Sequence, residues 1–253
     1  MPRLIAALPA FNEEKSLPPL LESFDALELP AGWELSVVVV DDGSSDATAQ
    51  VARENARGLK LEVVQHEKNK GLGEAIKTGL RAALERCIDP EHDVVVCMDA
   101  DNTHHPKYIL DMLERLATGS DLVIASRYQP GSQQLGVPGN RLIYSWGARL
   151  LFMVALRLKG VRDYTCGYRA YRLSLVRRGF EIWGDRLIER SGFACTDELL
   201  VKLARLKPSP LITEVPFTLR YDLKRGGSKL PLIKTIVHTL HLCFVGGRPP
   251  GKN

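Results

Sequence analysis

Cysteine is scarce in this chain, and its placement excludes more than its number does. The five cysteines in 253 residues, Cys87, Cys97, Cys166, Cys195 and Cys243, are scattered and never fall as CxxC. Neither a disulfide framework nor a zinc knuckle is expected, and a reducing compartment is the default. Long apolar runs are missing as well. No window reaches the roughly 18–20 uninterrupted apolar residues that a spanning helix needs, and the opening MPRLIAALPAFNEE lacks the charged-then-apolar pattern of a secretion signal. The expectation is a cytoplasmic protein that does not cross a membrane; whether it lies on the cytoplasmic face of one stays open. Charge of one sign is not in large excess, since 34 Lys and Arg against 30 Asp and Glu leave +4. With no stripe of alternating Arg and aromatic residues, nucleic acid is not an expected partner. An anionic small molecule or an anionic lipid surface suits the mild excess. What is present is ordinary globular composition, 45% apolar and 25% charged, with no internal repeat and no linker.

The first half alternates strand and helix patterns. Leu4–Leu8, Leu35–Val40, Leu61–Val64, Asp93–Met98 and Asp121–Ala125 read as strands. Glu13–Leu27, Asp46–Arg57 with Asp46 as N-cap, Gly73–Cys87 and Pro106–Ala117 read as helices. LSVVVV and DVVVCM are apolar on both faces, as strands between two helix layers must be. Strands spaced by single helices predict parallel pairing in a doubly wound α/β sheet. After Ser126 the rhythm breaks. Gln129–Gly139 reads as a loop, Arg141–Leu158 as a long apolar helix, and Gly167–Arg172, Thr196–Leu206 and Leu211–Leu219 as strand, helix, strand. Arg220–Lys229 is a basic loop, and Leu230–Phe244 an amphipathic helix with Leu232, Ile233, Ile236, Val237, Leu240 and Phe244 along one stripe. That stripe, like the apolar Leu150–Leu156 segment, suits either the protein's own core or a bilayer interface.

Three strand ends carry acids or turn residues. Asp99-Ala100-Asp101 follows VVVCM and precedes a Pro-started helix, which places two carboxylates at the strand-end rim where open α/β sheets bind ligands. Acids so close repel unless a cation holds them, and Mg²⁺ or Mn²⁺ bridging to a diphosphate is the usual one; turn formation and helix capping are the alternative. Asp41-Asp42 ends VVVV and opens GSSDAT, beside the Pro9-Ala10-Phe11-Asn12-Glu13 turn, so the rim suits a nucleotide. Lys70-Gly71-Leu72-Gly73 opens a helix, through either close backbone packing or ligand contact, and lacks the third glycine of a dinucleotide fingerprint. Arg127 follows the fifth strand and could fork onto phosphate oxygens. The cations of the Arg220–Lys229 loop could do the same or form a solvated face. His104-His105 and His238/His241 lack a third ligand.

Together these segments resemble family 2 glycosyltransferases of the GT-A fold, and within them the dolichol-phosphate mannosyltransferase and polyprenyl-phosphate glycosyltransferase group. LPAFNEE, VVVVDDGSSDAT, KGLGEAIKTG, MDADNTHHPKYI, ASRY, TCGYRAYR, EVPF and GGSKL stand in the family's order, from about residue 3 to 245. The resemblance implies one domain, 1-253, with residues 1-126 binding the nucleotide and 127-253, including a C-terminal amphipathic helix, serving the acceptor. It implies metal-dependent, inverting transfer from a nucleotide-sugar, GDP-mannose first, to a polyprenyl or dolichyl phosphate. UDP-glucose or UDP-N-acetylhexosamine as donor is the alternative, and a non-catalytic sugar-nucleotide-binding subunit the second. A sugar-nucleotide pyrophosphorylase would want a glycine-rich loop after the first strand, which PAFNEEKS is not. Carried over residue by residue, Pro9, Phe11 and Glu13 line base and ribose, Val40 and Asp42 hold the nucleoside, and Asp99 and Asp101 carry Mg²⁺ or Mn²⁺ and the diphosphate. Ala100 packs on the nucleotide, and Arg127 and Lys229 neutralise phosphates. Thr103 stands where some members have Gln. Arg225 is the first choice for the family's loop arginine, with Lys224 and Arg220 as rivals.

Overall fold

The structure, a computed structural model, describes residues 1–192 and 194–223. In chain order its main elements are β1 (Arg3–Ala10), α1 (Leu17–Asp25), β2 (Glu34–Asp41), α2 (Thr48–Glu54), β3 (Lys60–Gln65), α3 (Leu72–Glu85) and β4 (Val94–Cys97). There follow α4 (Ile109–Ala117), β5 (Leu122–Ser126), β6 (Gln133–Leu135), α5 (Gly139–Leu156), β7 (Arg169–Arg172), α6 (Leu173–Trp183), α7 (Ala194–Ala204), β8 (Ile212–Pro216) and β9 (Thr218–Arg220). A seven-stranded sheet has the order β3-β2-β1-β4-β7-β5-β8. The Val37–Val40 and Val94–Val96 runs are buried on both faces, because helices cover the sheet on each side. Gly79 on α3 allows the closest approach: a Cβ there would stand 3.0 Å from the Ala7 side chain in β1.

The expected parallel pairing holds for β1 with β2 and β4, β2 with β3, and β5 with β8, but β7 runs antiparallel between β4 and β5. That reversal has a consequence for the rim. The C-terminal ends of β1, β2, β4 and β5 share one edge, and the antiparallel β7 brings its N-terminal end, Arg169, to the same edge beside Cys97 and Ile124.

Several local expectations need correction. The helix expected from Glu13 starts at Leu17, after a turn closed by Glu13 O. Asp46 is not the N-cap; Ala47 is, although the Asp46 carboxylate still accepts the Thr48 N–H at 3.0 Å. Pro106–Tyr108 forms a 3₁₀ turn before α4. The expected strand Leu211–Leu219 splits at Pro216-Phe217 into β8 of the main sheet and β9, which pairs with β6 inside what the sequence marks as loop. Helix α6 lies outside the expected elements, although Leu173, Val176, Phe180 and Trp183 carry its period. Lys224, Arg225, Lys229, His238, His241, Cys243 and the C-terminal stripe lie outside the described residues.

Candidate active site

The Asp99–Asp101 turn is fastened at every corner. β4 ends at Cys97, and Asn102 takes a left-handed conformation, φ 65°, which Asn tolerates better than most side chains. Asp101 is buried, and its Oδ1 accepts from the backbone N of Thr103 at 3.1 Å and from the Thr103 hydroxyl at 2.6 Å. Thr103, the departure from the resembled pattern, therefore fixes the orientation of a carboxylate. His104 Nδ1 accepts the Asp99 N–H at 3.4 Å while its ring stacks on Tyr168, centroids 5.1 Å apart. Tyr168 in turn donates to His105 O at 3.0 Å, and Arg220 N donates to Thr103 O at 3.0 Å. The two histidines thus act as braces. Ala100 is buried, and Gly167 lies so near that a Cβ there would be 3.8 Å from Asp99 Oδ1.

Among the described residues no group of three or more His, Cys, Asp or Glu side chains could hold a metal ion. Two carboxylates on one tight turn nevertheless fit Mg²⁺ or Mn²⁺, because such a hard cation is commonly held by one or two carboxylates, with water and substrate phosphates completing its shell.

Beside this turn the ends of β1 and β2 are stitched together. Asn12 N donates to Ser44 Oγ at 2.9 Å, Ser45 N to Asn12 Oδ1 at 2.9 Å, and Glu13 N to Thr48 Oγ1 at 2.8 Å. Phe11 projects from this turn with 46% exposure, a ring face open to a base. Pro9 pairs with Val40 inside the sheet, and Val40 is fully buried, its Cγ2 3.6 Å from where a Cβ on Gly79 would stand. Val40 is thus a core residue beneath the rim. Asp42 is buried too, and its carboxylate accepts from Lys70 N at 2.9 Å and Gly71 N at 2.8 Å, the residues that lead into α3. Gly73 resolves the two readings of its segment toward packing: a Cβ there would fall 2.5 Å from Arg190 O and 3.2 Å from Cys195 Cβ.

Arg127 is already half engaged. Its Nε and Nη2 fork onto Asp163 at 2.8 and 2.7 Å, and Nη2 also donates to Thr165 Oγ1 at 2.6 Å. Asp163 is buried, which by itself would raise its pKa, yet the Arg127 charge and hydrogen bonds hold it below the usual carboxylate value. A guanidinium has five N–H groups, and the two on Nη1 make no hydrogen bond among the described residues. That edge can still face a phosphate. Glu214 completes the frame, accepting from Arg162 N at 2.6 Å, Asp163 N at 2.8 Å and Gln129 Nε2 at 3.0 Å.

Sequence reasoning missed Asp163, Glu214, Arg169 and Asp197. Arg169 is fully buried and donates to Thr196 O at 2.5 Å and Tyr164 O at 2.6 Å, with Asp197 supplying nearby negative charge. Charged residues inside otherwise apolar runs, such as TCGYRAYR and ACTDELL, were the available signal.

The family model for glycosyl transferase family 2 matches residues 6–180. This chain is a family 2 glycosyltransferase. It is 37% identical over 230 residues to an undecaprenyl-phosphate mannosyltransferase of Micrococcus luteus, covering 90% of this chain and 87% of that one. It is 34% identical over 225 residues to a dolichol-phosphate mannosyltransferase of Pyrococcus furiosus, covering 88% of this chain but only 58% of that protein's length. Among solved structures it resembles glucosyl-3-phosphoglycerate synthase of Mycobacterium tuberculosis in complex with Mn²⁺, UDP-glucose and phosphoglyceric acid. That likeness has a TM-score of 0.67 at 23% identity over 96% of this chain and 79% of that one, and it shows the shared GT-A fold. Among the described residues the glycosyltransferase thus places its family motifs along one sheet edge.

Replacing Arg127 with Ala strands a buried carboxylate, and breaking such a pair costs about 3–5 kcal/mol. Because Asp163 is held below its unfolded value, the pair's contribution is complete above about pH 4 and fades as pH falls through the folded value. Denaturant unfolding should therefore show a large loss for Arg127→Ala at pH 7 that narrows in acid. An equal deficit at all pH values would contradict the pairing.

Proposed function

We propose that this glycosyltransferase moves a hexosyl unit, mannose from GDP-mannose first, onto the phosphate of a polyprenyl phosphate with inversion at the anomeric carbon. The identity of 37% over 90% of the chain to a protein named for undecaprenyl-phosphate mannosyl transfer carries the reading, and the rim geometry supports it. Residues 1–126 take the donor: Phe11 stacks on the base, Pro9 and Glu13 border base and ribose, and Asp42 meets the nucleoside while Val40 supports it from beneath. Asp99 and Asp101 hold Mg²⁺ or Mn²⁺, with Ala100 against the nucleotide and Thr103 orienting Asp101. The cation, when bound, neutralises charge developing on the departing diphosphate, an electrostatic contribution that usually dominates. Arg127 offers its Nη1 edge to phosphate oxygens. Arg225 and Lys229, outside the described residues, are assigned to the same work on sequence alone.

Residues 127–253 serve the acceptor. A phosphate monoester has a second pKa of about 6 and is mostly dianionic at neutral pH. Its oxygen can attack the anomeric carbon as the bond to the diphosphate oxygen breaks, with no side chain needed to remove a proton. The buried Asp197 serves as counter-charge to Arg169 in this account. Assayed with a panel of GDP- and UDP-sugars, the protein should transfer best from GDP-mannose. Asp101→Asn should abolish transfer at every Mn²⁺ concentration while unfolding normally. Near-native rates for Asp101→Asn would refute the metal assignment, and preference for a UDP-sugar would refute the donor.

No described helix is long and apolar enough to cross a membrane. Yet Leu142, Trp146, Leu150 and Val154 recur every four residues along α5 and are 37, 59, 53 and 61% exposed, while Phe152 and Leu156 of the expected Leu150–Leu156 segment are buried. The same helix touches the Arg127 region: Tyr128 Oη bonds Ser145 Oγ at 2.6 Å, and Arg149 lies 4.7 Å above the Tyr128 ring. We infer that this row rests in the bilayer interface and brings the lipid phosphate to Arg127. Co-flotation with anionic liposomes should be lost in a Trp146→Glu, Leu150→Glu double variant that still binds nucleotide; unchanged flotation would remove α5 from the contact.

A further inference from the structure

His66 stands directly behind the nucleotide rim, in no motif that the sequence singles out. It follows β3 and is buried, as is Asp42 at the end of β2. His66 Nδ1 lies 2.7 Å from Asp42 Oδ1, and His66 Nε2 lies 3.0 Å from Thr78 Oγ1 on α3. An ionised carboxylate only accepts, so Nδ1 carries the proton; in the neutral ring Nε2 then accepts from the Thr78 hydroxyl. The row Thr78–His66–Asp42 thereby ties α3, the end of β3 and the end of β2 into one polar chain.

Among the described residues Asp42 uses three acceptor positions: Oδ1 takes His66 and Lys70 N, and Oδ2 takes Gly71 N. A carboxylate offers about four, which leaves one, on Oδ2. Two of the three donors are backbone groups of the turn before α3, where Gly71 adopts φ 92°. His66 is the side-chain donor that sets the plane of the carboxylate and, through it, the seat of the Lys70–Gly71 turn. We propose that His66 is a positioning residue for nucleotide binding: it orients Asp42 so that the Lys70–Gly71 turn forms one wall of the pocket and the remaining Oδ2 position meets an N–H of the nucleoside. The inference rests on the reading of this rim as the nucleotide site.

Calorimetric titration of the full chain with GDP and with UDP in Mn²⁺, beside steady-state transfer, tests it. His66→Ala should raise the nucleotide Kd and the donor KM about tenfold, the loss of one net hydrogen bond, with kcat kept within about twofold. His66→Asn, whose amide nitrogen sits where Nδ1 did, should restore most of the affinity, whereas His66→Leu should not. Thr78→Val, which removes the hydroxyl that donates to Nε2 and holds the ring from its far side, should move Kd in the same direction by a smaller factor, and it decides the matter if His66→Ala does not fold. An unchanged Kd in the folded variants, a fall in kcat at constant KM, or a Leu variant as good as Asn would overturn the role. Wild-type protein that bound neither nucleotide would overturn the underlying site and the role with it.

Discussion

The buried pair of Arg127 and Asp163 joins the two halves of the rim. Arg127 leaves the end of β5, and Asp163 opens the segment that runs through Gly167, against Asp99, into β7. Burying either charge alone would cost several kcal/mol, so the fork holds only while both segments keep their places. Glu214 adds a second carboxylate that binds the backbone of Arg162 and Asp163 from β8. The ends of β5 and β8 are therefore anchored to the segment beside the acidic turn by ionic and charge-assisted bonds, the strong class of hydrogen bond.

The same device recurs around the fold. Asp42 accepts the N–H groups leading into α3; Glu198 accepts Glu189 N and Arg190 N, each at 2.8 Å, while paired with Lys202; and Asp93, at the opposite edge, accepts Arg3 N, Ile88 N and Asp89 N. Loops here satisfy their backbone donors on buried carboxylates of neighbouring elements. Such networks are rigid because each unmet group inside would be costly. The rim inherits that rigidity: the Asp101 carboxylate is oriented by Thr103, the Asp99 backbone is held by His104, and the turn is tied to Arg220 of β9. Sites that stabilise developing charge depend on groups placed in advance.

The parts of this arrangement visible in the sequence were those carried by short-range pattern. Valine runs buried on both faces announced β2 and β4, and Asp99-Ala100-Asp101 after one of them announced the acidic turn. What stayed hidden depends on partners far along the chain. Arg127 reads as an open cation until Asp163, thirty-six residues on, takes half its fork. Gly73 reads equally as a phosphate or a packing glycine until Arg190 O is found above it. The antiparallel β7 has nothing in its own four residues to give its direction; only the topology sets it. The split at Pro216 was legible in principle, since a residue without an N–H belongs at a strand's end or edge.

In the proposed reaction the acceptor brings its own nucleophile, which leaves the oriented acids of the rim to the nucleotide and its cation and asks no side chain to act as base. In that reaction the Arg127 edge, the row along α5 and the turn at Asp99 would form one path from lipid surface to diphosphate. The most direct measurement compares transfer from GDP-mannose to undecaprenyl phosphate with transfer to unphosphorylated undecaprenol under the same conditions. Mannosylation of the phosphate, and none of the alcohol above background, is the expected result. Equal transfer to the alcohol would contradict it.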